Sequence, residues 1–107
     1  MADFSNIPRL SAKEAAILEL LIARHEMYGL EVVRASNGHV KQGTLYVTLN
    51  RMSEKGYVES RQEERSPGAI GPPRRLYRAT GYGVMVFEAW ADMAARTSLF
   101  PSMEPTR

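Results

Sequence analysis

Apolar positions in this chain recur first at helical and then at strand spacing, and the change of period marks a change of element. Ala15, Leu18, Leu21 and Ile22 fall on one face of a 3.6-residue period, which Ile17 and Leu20 widen. Ser11 and Glu14 stand in front of that stripe at the spacing of a capping box, in which hydroxyl and carboxylate satisfy each other's backbone N–H. Leu10 against Ala15 makes the hydrophobic staple. The pattern predicts a first helix running to about Arg24 or His25. A second helix is predicted from Tyr28-Gly29 to Ala35 or Ser36, with Leu30 and Val33 inward and Glu31 and Arg34 exposed. Asn37-Gly38 is a turn signal, and His39 to Gln42 lead into a third helix over residues 43 to 55. There Leu45, Leu49 and Met52 form a narrow apolar stripe, while Thr44, Val47, Asn50, Arg51 and Glu54 point away from it. Gly56 follows the last periodic residue, where a left-handed stop is wanted.

The strand period begins at once. Tyr57 to Gln62 reads as a strand and Glu63 to Pro73 as a Gly-, Pro- and charge-rich tip. The return strand runs from near Arg74 to Ala79, because Pro72 and Pro73 cannot donate to a ladder. Thr80 is a cap for a last helix of about Tyr82 to Ser98. Residues 1–9 read as a flexible arm, and the tail from Phe100 to Arg107 as frayed. The expected fold is mainly α with a small β-hairpin (α+β): a winged helix-turn-helix over residues 1–80, in which the third helix does the reading, and a C-terminal dimerisation helix and tail over 81–107.

The last helix carries one thin polar stripe, Glu88, Asp92 and Arg96, and is otherwise apolar or small. A helix apolar most of the way round must be covered on more than one side. A domain this small covers one face, and a two-fold homodimer is the commonest way to cover the second. Val86, Phe87, Trp90, Ala91 and Ala94 are therefore expected at or near an interface, with Met85 and Met93 beside Trp90.

Two segments in order, Gly43-Thr44-Leu45-Tyr46-Val47-Thr48-Leu49 and Gly71-Pro72-Pro73-Arg74-Arg75-Leu76-Tyr77-Arg78-Ala79-Thr80, with Gly56-Tyr57-Val58 between them, resemble the PadR family of bacterial transcriptional regulators. That family shows a Gly-(Ser/Thr)-Leu-Tyr-Pro-x-Leu helix start and a Gly-Pro-x-Arg-(Arg/Lys)-x-Tyr-x-Leu-Thr wing strand. The resemblance covers residues 10 to 96. Val47 stands where the family usually has Pro, Ala79 where it has Leu, and Lys41-Gln42 where Ser or Thr is usual. The resemblance implies a repressor that pairs through its first and last helices, a DNA contact from the Tyr46 hydroxyl, and a functional role for Arg74 and Arg75. It also implies that an aromatic such as Trp90, within Phe87-Glu88-Ala89-Trp90, can line a pore for flat hydrophobic or phenolic effectors. The bland reading makes Trp90 a core or dimer-interface anchor.

Size and charge narrow the field. With 107 residues and 44% hydrophobic content the chain is long and apolar enough for one core. It has no apolar run of about 20 residues, and its start does not resemble a secretory signal. No cysteine is present, which removes disulfides and thiolate metal sites and fits a cytoplasmic protein. A net charge of +2 permits nucleic-acid binding without demonstrating it.

The chemistry expected is recognition. On the third helix Asn50 can pair with adenine, Arg51 with guanine or phosphate, and Val47 or the Thr44 methyl can touch a thymine methyl. The backbone at Gly43-Thr44 can take a phosphate. Lys41 and Gln42 precede the helix and add a weaker candidate contact. Tyr46 has a structural alternative, packed beside the wing. Arg65, Arg74 and Arg75 suit phosphates or the minor groove. Arg61 and Arg78 are as readily explained by pairing with Glu59, Glu63 or Glu64. His25 and His39 are isolated, and no triad, phosphate loop or metal motif can be assembled, so neither an enzyme nor a cofactor is expected. The expected partners are double-stranded DNA, a second copy of the chain and a small aromatic or hydrophobic effector, with no membrane. The competing functions are a winged-helix protein-interaction module, kept open by Glu54, Glu59, Glu63 and Glu64, and a dimer that binds hydrophobic ligands or metal.

Overall fold

The computed structural model describes residues 8–102, with side chains through Arg96. Its elements run α1 (Ala12–Arg24), β1 (Met27–Tyr28), α2 (Gly29–Ala35), α3 (Gln42–Glu54), β2 (Val58–Gln62), β3 (Arg75–Ala79) and α4 (Gly81–Ser102). This is the expected winged helix: helices around one core and a small antiparallel sheet. The sheet has three strands in the order β1-β3-β2 rather than two. Met27 pairs with Tyr77 and Tyr28 with Leu76, so the chain between α1 and α2 is stitched to the wing. Two residues are too few to show an alternating pattern, which is why β1 is not legible in the sequence.

Local signals set most boundaries. The Ser11 hydroxyl accepts from the Glu14 N–H at 3.1 Å and Glu14 Oε1 accepts from the Ser11 N–H at 2.9 Å, the reciprocal cap expected of the pair. The chain leaves α1 through His25, at φ 70° and ψ −55°, where the Glu26 N–H donates to the Arg24 carbonyl. That is the tight γ-turn conformation, strained for a residue with a side chain. Gly56 takes φ 84° after α3, as a left-handed stop requires. The Thr80 hydroxyl accepts from the Gly83 N–H at 2.9 Å at the start of α4. That helix continues to Ser102, beyond the expected end near Ser98 and through Pro101. The arm and tail expectations fall largely on residues 1–7 and 103–107, outside the described residues.

The core joins Ile17, Leu18 and Leu21 of α1, Met27 of β1, Val32, Val40, Leu45, Leu49 and Met52 of the helix-turn-helix, Tyr57, Val58 and Tyr77 of the wing, and Val86 of α4. The α3 stripe is buried as its spacing predicts. The second helix is phased differently from expectation. Gly29, Val32 and Ser36 face inward, Val33 is half-buried and Leu30 is exposed. The phase follows from Gly29, because an added Cβ there would lie 2.5 Å from the Tyr46 hydroxyl. Buried Ser36 is satisfied: its hydroxyl donates to the Val33 carbonyl and accepts from the Val40 N–H.

Candidate nucleic-acid interface

Burying Leu45, Leu49 and Met52 forces the other side of α3 outward. Lys41, Gln42, Gly43, Thr44, Tyr46, Val47, Asn50 and Arg51 are all exposed. The first turn has no acidic residue to repel a phosphate. Thr44 returns its hydroxyl to the Lys41 carbonyl at 3.2 Å and Thr48 to Thr44 at 2.9 Å, which leaves their methyl groups as surface. The side chains of Lys41, Gln42, Asn50 and Arg51 make no hydrogen bond or ion pair among the described residues, so their donors and acceptors are uncommitted.

Beside this face, lining one concavity with Gly43, Thr44, Val47 and Arg51, lies an ion pair that spacing could not reveal. Glu14, at the start of α1, accepts from Lys55 Nζ at 2.8 Å just after the end of α3. Burial pushes the Glu14 carboxyl up, but hydrogen bonds from Lys55 and Ser11 outweigh it and hold the group below its usual 4.5. The pair fixes the C-terminal end of the reading helix against α1.

Tyr46 is at once packed and exposed. Its ring lies against Gly29, yet 47% of the residue remains exposed. It borders a groove between α2, α3 and the start of β3, lined also by Leu30, Arg34, Arg75 and Tyr77.

On the wing the arginines differ. Arg61 holds Glu26 through two bonds at 2.7 and 2.9 Å, and Arg78 pairs with Glu59, its register partner across the hairpin. Both are structural pairs. Both Glu26 carboxylate oxygens are taken by Arg61. Arg65 donates to the Gly71 and Ile70 carbonyls and closes the wing tip. Arg74 lies against Glu63 and Tyr28. Arg75 is exposed and makes a single bond to the Ser60 hydroxyl at 3.2 Å. Of the three wing arginines expected at DNA, only Arg75 is thus left with a weak internal partner. The sequence offers Glu63 only alongside Glu59 and Glu64, as a partner for Arg61 or Arg78, and Tyr28 only as the start of the second helix; their contact with Arg74 is not legible there.

On α4, Phe87, Trp90, Ala91 and Ala94 are half-buried, while Met85 and Met93 are exposed. Val86 is 2% exposed and belongs to the chain's own core, beside these residues. The Phe87 and Trp90 rings meet at 5.9 Å, and Trp90 closes a concavity of about 340 Å³ formed with α1, Ala35, Ser36 and His39. Among the described residues no helix is long and apolar enough to cross a membrane.

The fold is shared with solved transcriptional regulators. The PcaV regulator of Streptomyces coelicolor, solved with its natural ligand, superposes with a TM-score of 0.73 at 16% identity, over 96% of this chain and 70% of PcaV. A mutant MarR of E. coli complexed with operator DNA gives 0.67 at 18% identity, over 82% of this chain and 58% of MarR. A PadR family regulator of Eggerthella lenta gives 0.66 at 23% identity, over 89% of this chain and 83% of its own. A comparison with curated proteins finds no match. The model of the transcriptional regulator PadR-like family matches residues 17–89, from α1 through the wing into α4. With that match covering most of the chain, this protein belongs to the PadR-like family of transcriptional regulators, which are not enzymes.

Proposed function

We propose that the chain works in the cytoplasm as a homodimeric repressor of a palindromic operator, released by a flat aromatic or hydrophobic effector. One observation carries the DNA reading: the outward face of α3 holds Thr44, Val47, Asn50 and Arg51 exposed, with the Asn50 and Arg51 side chains making no hydrogen bond or ion pair among the described residues. Asn50 would read adenine, Arg51 guanine or phosphate, and Val47 a thymine methyl. Lys41, Gln42, Tyr46 and the Gly43-Thr44 backbone would grip the adjoining phosphates, with Arg75 reaching from the wing. Residues 81–107 would pair the protomers and set their reading helices about 34–36 Å apart, one turn of DNA. The exposed Met85 and Met93 and the half-buried Phe87, Trp90, Ala91 and Ala94 support a second chain on this face. An effector beside Trp90 that prefers another dimer spacing would lower operator affinity by its differential binding to the two states.

Titration of labelled random duplex at low salt, followed by footprinting on genomic DNA, tests the reading. Binding that strengthens at a two-fold symmetric site is expected; no binding at low salt would leave a protein-interaction module. Sedimentation at micromolar concentration tests the dimer, where a monomer would remove both the palindrome and the pore. Quenching of Trp90 fluorescence by flat aromatic compounds, with matching loss of operator binding, tests the effector.

A further inference from the structure

Three elements meet at Glu63, just past the end of β2. Its carboxylate accepts from the Tyr28 hydroxyl at 2.8 Å, from Arg74 Nε at 3.1 Å, from Arg74 Nη2 at 3.3 Å and from the Arg74 N–H at 3.3 Å. Its own N–H donates to the Arg74 carbonyl at 2.8 Å. The Arg74 guanidinium lies 4.1 Å from the centre of the Tyr28 ring. Tyr28 in turn pairs with Leu76 across the sheet and gives its N–H to Glu31 at 2.7 Å at the start of α2. The base of the wing is thereby tied to the helix-turn-helix by a carboxylate, a phenol and a guanidinium.

This arrangement occupies Arg74 twice. A guanidinium recognises phosphate with its planar fork of donors and stacks through its face. Here Glu63 takes two donors of the fork and Tyr28 takes the face. Hydrogen bonds from Arg74 and then from Tyr28 hold the Glu63 carboxyl at about 2, so it stays charged wherever the protein works. Arg75, the next residue, is held by a neutral hydroxyl alone.

We propose that Glu63 is a positioning residue that, with Tyr28, clamps the wing to the start of α2 and withholds Arg74 from DNA, leaving Arg75 as the wing's phosphate contact. The clamp keeps the wing at one angle and limits its sequence-independent attraction, so that a larger share of the affinity comes from α3. The inference rests on the DNA-binding reading above.

The test uses the full chain, with operator and random duplex titrated across a salt series. Arg75→Ala should flatten the salt dependence by about 0.9 per lost phosphate contact. Arg74→Ala should keep the parental slope while operator affinity falls. Glu63→Gln should release Arg74, steepen the slope by about 0.9 per added contact, tighten binding to random duplex and reduce the preference for operator. A slope that flattens in Arg74→Ala, or Glu63→Gln with parental slope and random-DNA affinity, overturns the withholding. Amide hydrogen exchange without DNA tests the clamp separately: Tyr28→Phe and Glu63→Gln should both speed exchange at position 63. Unchanged exchange in both overturns the clamp whatever the DNA results. A parent that binds no duplex at low salt refutes the DNA reading and the withholding, while exchange still decides the clamp.

Discussion

Leu49 and Val47 lie two residues apart on α3 and should fail in opposite ways when cut to alanine. Leu49 is 1% exposed, between Leu45 and Met52 in the core, whereas Val47 is 53% exposed on the outward face. Leu49→Ala removes three carbons, worth about 2.4 kcal/mol at roughly 0.8 kcal/mol each. The void left among Leu45, Met52 and their neighbours raises this to about 3–4 kcal/mol, because helices around a close-packed core relax only in part. At about 4–8 °C per kcal/mol, melting should fall by more than about 10 °C. Val47→Ala should change stability by less than about 0.5 kcal/mol. Losing its methyl contact with DNA should weaken operator binding roughly tenfold, about 1.4 kcal/mol. Urea unfolding at one fixed protein concentration gives the stabilities, the concentration being held because a dimer's stability depends on it. Anisotropy on the operator gives the affinities. If Val47→Ala destabilises as much as Leu49→Ala, or if Leu49→Ala melts like the parent, α3 does not face the way described and the recognition residues are misassigned.

Gly83→Ala should destabilise by about 1–3 kcal/mol or more, since the new Cβ would overlap the Tyr57 carbonyl, which belongs to backbone and cannot swing away. A melting curve at the parental temperature would show that α4 does not pack this closely on the start of β2. Gly29→Ala should displace Tyr46, the flexible end of the same contact, and lower operator affinity more than stability; a fall in melting temperature with affinity unchanged would make Tyr46 purely structural. Acid should loosen the fold in a defined window. Glu14 and Glu63 both titrate below 4.5 in the folded chain, Glu63 at about 2, so their stabilisation is full above 4.5 and is lost as pH falls toward 2. In Lys55→Ala the Glu14 part of that dependence should shrink; a parental acid profile would show that the Lys55 pair does not stabilise the fold.

What the sequence determined is what acts over a few residues. The Ser11–Glu14 cap, the buried stripe of α3, the stop at Gly56 and the Thr80 cap each depend on spacings of about one helical turn, where backbone geometry alone brings the partners together. The family followed from two such local segments in order. The tertiary structure decided the phase of α2, because a seven-residue helix has too few apolar positions to define a face and Gly29 beneath Tyr46 settles it. It also turned Val86 into the core and left Phe87 and Trp90 half-buried beside it, a choice that an almost uniformly apolar helix does not encode. Above all it chose the ionic partners. Glu14 meets Lys55 from 41 residues away, and Glu26 meets Arg61 and Tyr28 meets Glu63 from 35. Five arginines and three glutamates lie between residues 57 and 80, and charge attraction is too unspecific to say which of them pair. Only the register of the hairpin and its docking on β1 bring Glu63, rather than Glu59 or Glu64, to Arg74 and Tyr28, and so separate an arginine held by a carboxylate from the neighbouring one bonded to a single hydroxyl.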